Sequence, residues 1–343
     1  MARLLAAVLV VGAAAMLLIL FWPQLFDLQR APLVAQAVTL RGGLAAGALV
    51  AALVLTVLAL IAVPARRFLG SLALLLLVFT GANVVVLTSR GFGGAGFDIR
   101  GPDDLTVLAW NTLGDAVPAA TIADLVIDNR ADIVSLPETT EEVANEVAAI
   151  ARASGVPLTV HTVAYDEVAK ARSTSLLIST RLGPYLLTGD GTTGVLPSVV
   201  ATSTTGGPTI VAVHAVAPLP SEMTTWRSDL ASLSALCLAP NTILAGDFNA
   251  TLDAFDGLGS DVVGADGLVV SRGDLGLCDD AAQQWGAGAV GTWPTGVPAA
   301  LGTPIDHVLA TTNWRVTGFR VIGDLDGAGS DHRPVLAQLS PAG

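Results

Sequence analysis

The run Thr242-Ile243-Leu244-Ala245-Gly246-Asp247-Phe248-Asn249 decides how this chain is read. A short, largely β-branched and apolar stretch ends in an acid and an amide. Stretches of this length and character suit strands buried on both faces. Asp247 and Asn249 stand at i and i+2, so in extended chain they point the same way. Alone, the pair also fits an Asx turn. The pattern recurs, however. Leu105–Trp110 is followed by Asn111, and Ile133–Leu136 by Glu138. Thr209–Val213 ends at His214, and Pro304–Leu309 carries Asp306 and His307. Arg333–Leu339 is preceded by Asp331 and His332. One polar residue at a strand end is ordinary. Six strand ends confined to Asn, Glu, Asp and His point to a shared site.

Helical stretches separate these strands, at Ala119–Arg130, Glu141–Ser154 and Met223–Leu238. Helices covering stacked sheets predict an α/β sandwich over residues 105–343. No repeat of 20–50 residues is visible.

The first third reads differently. The whole chain of 343 residues is 52% hydrophobic and 13% charged, with a mean hydropathy of +0.66. A disordered chain needs the opposite balance, and a soluble domain carries roughly 25% charged residues. Part of the chain is therefore expected in lipid. Three charge-free runs, about 4–22, 42–63 and 68–88, each suffice to cross a hydrocarbon core, which makes residues 1–88 a region of three transmembrane helices. The first run continues through Leu17–Trp22 past Gly12–Ala15, favouring an uncleaved anchor over a cleaved signal. Residues 89–104, rich in glycine, predict a flexible linker.

Arginines near the run ends bear on orientation. Arg3, Arg66 and Arg67 fall on one side, and Arg30, Arg41 and Arg90 on the other, a tie. The tight Arg66-Arg67 hairpin and the short N-terminus favour an inside N-terminus, which places the C-terminal domain outside the cytoplasm, in a multi-pass cell-membrane protein. Cys237 and Cys278 match no zinc or redox motif. They are two buried thiols or, outside the cytosol, one disulfide.

Residues 1–102 hold seven arginines and two acids, net +5. Residues 103–343 hold 27 acids, nine arginines and Lys170, net −17. Such a domain repels long polyanions unless metal or local patches intervene.

The strings Leu108-Ala109-Trp110-Asn111, Ser135-Leu136-Pro137-Glu138, Val213-His214, Gly246-Asp247-Phe248-Asn249, Ile305-Asp306-His307-Val308-Leu309 and Ser330-Asp331-His332-Arg333-Pro334 resemble, in order and rough spacing, the endonuclease/exonuclease/phosphatase family. Its members include nucleases, inositol-phosphate phosphatases and sphingomyelinases. The resemblance implies a four-layer α/β sandwich, with two packed mixed sheets flanked by helices and the site at one end of the sheets. It implies Mg²⁺, with Mn²⁺ possible, held by Glu138 with Asp331 and Asn111. Glu138 also reads as a helix N-terminal acid before Thr139-Thr140-Glu141-Glu142. The resemblance further implies that Asp247 aligns or deprotonates the attacking water and that Asn249 holds the phosphate. It also implies that Asp306 orients His332 and that His214 is a phosphate contact or general acid.

His307 is expected to pack beside the site, and His161 to lie at the surface. Trp293 in Gly291-Thr292-Trp293-Pro294 fits either a substrate rim or a packed aromatic. Tyr165 is a candidate for the family's catalytic Tyr. Pro137 departs from the usual Gln, which is not a ligand. The implied function is a membrane-anchored, metal-dependent phosphoesterase acting by direct attack of water. The membrane helices and the acidic domain favour a small, lipid-linked or headgroup phosphate over duplex DNA, with the lipid bilayer as a further partner and no obligate protein partner. The alternatives are an extracellular nuclease of the same fold, or an inactive membrane scaffold or sensor. Loops 182–207 and 251–275 are expected to choose the substrate.

Overall fold

The computed structural model describes residues 1–94, 96–166, 168–189, 191, 194–264 and 267–342. Parts of both expected substrate loops, at 190, 192–193 and 265–266, lie outside them.

The apolar runs form α1 (Ala2–Phe21), α3 (Arg41–Ile61) and α4 (Arg66–Arg90), with a short helix α2 (Val34–Thr39) between the first two, its Ala35 and Val38 buried. All three long helices are long and apolar enough to cross a membrane. Ala45, Ala48 and Ala52 of α3 and Ala73 of α4 are buried, as expected where small residues let helix backbones approach. Leu4, Leu5 and Val8 of α1 stay exposed, as lipid-facing residues would.

The sandwich begins at β1 (Leu105–Ala109) and continues through α5 (Ala119–Asn129), β2 (Ile133–Pro137), α6 (Glu141–Ala153), β3 (Leu158–Ala164) and β4 (Ser173–Ser179). Next come β5 (Tyr185–Gly189), β6 (Val199–Ser203), β7 (Thr209–His214), α7 (Met223–Leu236), β8 (Thr242–Asp247) and α8 (Leu252–Phe255). The chain closes with β9 (Asp261–Val263), β10 (Val269–Arg272), β11 (Cys278–Asp280), α9 (Ala281–Gln284), β12 (Asp306–Thr311), β13 (Trp314–Val321) and β14 (Val335–Pro341).

Two six-stranded mixed sheets result, ordered β13-β14-β1-β2-β4-β3 and β11-β12-β8-β7-β6-β5, beside a β9/β10 hairpin. Alternation along each strand builds the layers. Val107 and Ala109 meet Ile210, Ala212 and Ala245 between the sheets. Leu108 and Val134 turn outward against Ile122, Val126 and Val147 of α5 and α6. Val211 and Leu244 turn outward against Trp226, Leu230 and Leu233 of α7. Cys237 and Cys278 form a disulfide, with Cα atoms 5.7 Å apart, tying the end of α7 to β11.

Each sheet contains one parallel pair, β1 with β2 and β7 with β8. The neighbouring strands β14 and β12 run antiparallel to them. The C-terminal ends of the parallel strands therefore meet the N-terminal ends of β12 and β14 at one edge. That edge carries every candidate residue.

The glycine-rich segment does not hang free as a linker. Gly93 N–H donates to Gly286 O, and Asp98 N–H to Thr317 O, both at 2.8 Å. Arg320 stacks over the Phe97 ring at 5.7 Å. Backbone donors and one aromatic of this segment find partners on the domain surface.

Candidate active site

Asn111 follows β1 and bridges two acids. Its Nδ2 donates to Glu138 Oε1 at 3.1 Å and to Asp247 Oδ2 at 3.0 Å. Its Oδ1 accepts from Leu113 N–H at 3.0 Å. An amide so engaged orients the acids, while its Oδ1 keeps a second lone pair for the expected role as a metal ligand. Glu138 follows β2 with a left-handed φ of 58°. Burial raises its pKa, against the Asn111 hydrogen bond and the His332 charge, while Asp331 raises it further.

Asp247 ends β8 beside His214 of β7 and Asp306 of β12. It is buried and accepts from Asn249 N–H at 2.8 Å and Asn249 Nδ2 at 3.1 Å. Burial raises its pKa, and the charge of His332 pulls the other way. Asn249 Nδ2 also donates to Ala215 O at 2.9 Å. Both amide hydrogens are then committed. In this arrangement Asn249 positions Asp247, and the expected phosphate contact would exchange one of these hydrogen bonds.

His332 is held by Asp306, with Nδ1 at 2.9 Å from Oδ2. Its Nε2 lies 3.9 Å from both Asp247 Oδ2 and Asp331 Oδ1. Burial would lower its pKa, but the carboxylates of Asp306 and Asp247 outweigh burial and raise it. His214 is buried with Nε2 3.7 Å from Glu138 Oε1, and its Nδ1 has no hydrogen-bond partner. Burial, with the His332 charge adding to it, pushes its pKa down to about 3. At neutral pH His214 is a neutral ring.

Asp331 Oδ2 accepts from Trp293 Nε1 at 2.8 Å. Its Oδ1 is buried without a hydrogen-bond partner. An unpaired carboxylate oxygen, facing a second acid in Glu138, fits a hard cation held by oxygen. Asp247, Asp306 and His332 form a second set that could hold an ion, with ligand atoms within 4.8 Å of one another. Within that set Asp306 already holds His332, and Asp247 already accepts from Asn111 and Asn249. Glu138 and Asp331 are the better metal candidates.

Trp293 is thus both rim and hydrogen-bond donor. His307 lies behind the site, with Nδ1 2.7 Å from Asp280 Oδ2 and its ring against Phe248 and Phe255. His161 is half-buried on β3, away from the site. Tyr165 is not among the residues lining the site cavity.

Several supporting residues escaped the sequence reading. Ser330 Oγ donates to Asn111 O at 2.6 Å and accepts from His332 N–H at 3.0 Å. Thr292 Oγ1 accepts from Asp306 N–H at 3.2 Å. Arg333 reaches Asp326 at 2.7 Å and the carbonyls of Gly291 and Val297, clamping the loop that bears Trp293. Ser330 and Thr292 lie within quoted strings, but only contacts reveal their roles. Gln36, Thr39 and Leu40 also line the cavity, from the segment between α1 and α3.

The family model described as "Endonuclease/Exonuclease/phosphatase family" matches residues 108–332. No curated protein matches the chain in sequence. Among solved structures, D. rerio TDP2 humanized by 14 mutations aligns at 14% identity and TM-score 0.51, covering 69% of this chain and 99% of that one. A family protein from Leptotrichia buccalis aligns at 11% identity and TM-score 0.50, with coverages of 69% and 99%. One from Beutenbergia cavernae aligns at 18% identity and TM-score 0.49, with coverages of 70% and 72%. At these identities the first two support the fold alone.

Proposed function

The chain belongs to the endonuclease/exonuclease/phosphatase family, whose members are phosphoesterases or nucleases, and from that premise we propose that it is a membrane-anchored, metal-dependent phosphoesterase. The observation that carries this reading is His332, fixed on Nδ1 by Asp306 with Nε2 facing Asp247 and Asp331.

A carboxylate beside an imidazole favours the protonated ring and sets its tautomer. His332 then presents Nε2–H to a phosphoryl oxygen. His214, as a neutral ring, serves as a hydrogen-bonding contact rather than a general acid. Asp247, held by Asn111 and Asn249, aligns the attacking water and takes its proton. The water oxygen bonds to phosphorus, the ester P–O bond breaks, and the departing oxygen takes its proton from bulk water. Glu138 and Asp331 would hold Mg²⁺, or Mn²⁺, which relieves phosphate repulsion and stabilises developing charge. Hydrolysis of phosphate esters is expected with Mg²⁺ and lost in EDTA, and Glu138→Gln should lose most activity and its metal dependence. Full turnover in excess chelator would overturn the reading.

The domain is proposed to lie outside the cytoplasm. Arg41 and Arg90 pair with Asp253 at 2.7 and 2.8 Å, and Arg30 donates to Ala254 O and Asp256 O. These three arginines are accounted for by docking to the domain. Arg3, Arg66 and Arg67 remain to set orientation, which favours an inside N-terminus. The Cys237–Cys278 disulfide suits the same compartment. A C-terminal alkaline phosphatase fusion should be active in cells, and a fluorescent reporter requiring the cytosol should be dim. The reverse pattern would invert the topology.

A further inference from the structure

The cavity over the site encloses about 460 Å³, and one wall is built by Gln36, Thr39 and Leu40. This wall belongs to the segment that links membrane helices α1 and α3. It is fastened to the domain at several points. Gln36 Nε2 donates to Pro218 O at 2.5 Å, and Thr303 Oγ1 donates to Thr39 O. Arg41 donates to both Asp253 and Asn83, at 2.7 Å each, so one buried arginine joins α3, α4 and α8. Membrane region and catalytic domain therefore share the site.

The depth of that wall follows from helix geometry. The charge-free run of α3 begins at Gly42. Leu40 lies two residues before it, about 3 Å along the axis at 1.5 Å per residue. With α3 crossing a bilayer, the cavity would open near the boundary between headgroups and hydrocarbon. Its floor is polar, carrying Glu138, His214, Asp247, Asp331 and His332. Its margin is apolar and open: Leu40, Leu113 and Leu219 are 45%, 44% and 56% exposed. A water-soluble ester would gain nothing from exposed leucines around a phosphate-sized polar floor. An amphiphile uses both.

We infer that the substrate is a phosphate ester with a long apolar chain, taken from the leaflet on the catalytic domain's side, its phosphate on the polar floor and its chain against Leu40, Leu113 and Leu219. This rests on the phosphoesterase reading above and names its substrate class.

The test uses the full chain in dodecyl maltoside micelles, which carry no phosphate, with Mg²⁺. Hexadecyl p-nitrophenyl phosphate is compared with methyl p-nitrophenyl phosphate, and hexadecyl phosphate with methyl phosphate. The expected kcat/KM for the long chain is higher by about 10²-fold, the value of three or four methylenes leaving water. Micelle partitioning alone could raise that ratio, so Leu40→Gln and Leu219→Gln are measured beside it. Each variant should cut the ratio at least several-fold, because partitioning does not depend on these two residues. Among natural chemistries, turnover of a diacyl phosphatidylglycerol or of farnesyl phosphate supports the inference and tells a glycerophospholipid from an isoprenoid phosphate. Equal kcat/KM for long and short chains, a ratio unmoved in both variants, or faster cleavage of a short oligonucleotide than of the hexadecyl ester overturns it. Hydrolysis of no probe at all overturns the phosphoesterase reading itself.

Discussion

Asp247 and Asp253 stand six residues apart and are both buried, yet their surroundings drive them in opposite directions. Asp247 is surrounded by amides and one imidazole, with Asp306 beside it, and burial raises its pKa. Burial would raise Asp253 too, but the guanidinium groups of Arg90 and Arg41 outweigh it and hold its pKa down to about 2. The first carboxylate is kept able to take a proton. The second is kept charged. Residue type and burial are the same, so the difference lies in whether a permanent cation faces the acid. A site acid needs a partner that can change state. A structural acid needs one that cannot.

The comparison breaks most sharply at Asp247. Asp247→Asn should lower kcat/KM by about 10²–10⁴-fold, the usual cost of removing a positioned proton acceptor. Its stability should change only modestly, because relief of a buried charge is offset by the Asn111 and Asn249 donors left facing an amide and by the weaker hold on His332. A large fall in melting temperature with retained activity would assign Asp247 a structural role.

A second expectation concerns the pair beside it. Asp306→Asn and His332→Ala should each cost a similar large factor, and the double variant should lose little more than the worse single variant, because the two act as a unit. Losses in kcat/KM that multiply would show independent roles.

For Asp253 the effect belongs to stability. Asp253→Ala leaves Arg41 and Arg90 buried without their counter-ion and should cost about 3–5 kcal/mol, read by unfolding of the full chain in micelles. Acid should act more mildly on the intact residue. The folded pKa of Asp253 lies below its ordinary value of 3.8, so its stabilisation is complete above about pH 4 and is lost as pH falls toward 2. That loss should be of order 2 kcal/mol, and it should vanish in Asp253→Ala. A variant with an unchanged acid midpoint would show that Asp253 does not hold the two regions together.

Much of the fold could be read because it rests on local periodicity. Buried strands and charge-free helices announce themselves over five to twenty residues, and strings such as Gly246–Asn249 and Ser330–Pro334 carry their polar residues at strand ends. The eight candidate residues do converge, since parallel and antiparallel strands bring those ends to one edge. Their division of labour was not legible. Asn111 is expected as a metal ligand and Asn249 as a phosphate contact, but only the folded chain decides where an amide's two hydrogens go. Both amides turn out to serve Asp247.

The sequence by itself determined the three lipid-length helices, the sandwich and the residue types at its functional edge, because burial preferences and strand ends are properties of short stretches. Tertiary structure alone decided that the glycine-rich segment lies against the domain and that Arg41 and Arg90 neutralise Asp253. It also decided that Gln36, Thr39 and Leu40 wall the site. Those pairings join residues more than 150 positions apart. Their free energy depends on distance and desolvation in the folded chain, and no local pattern encodes either.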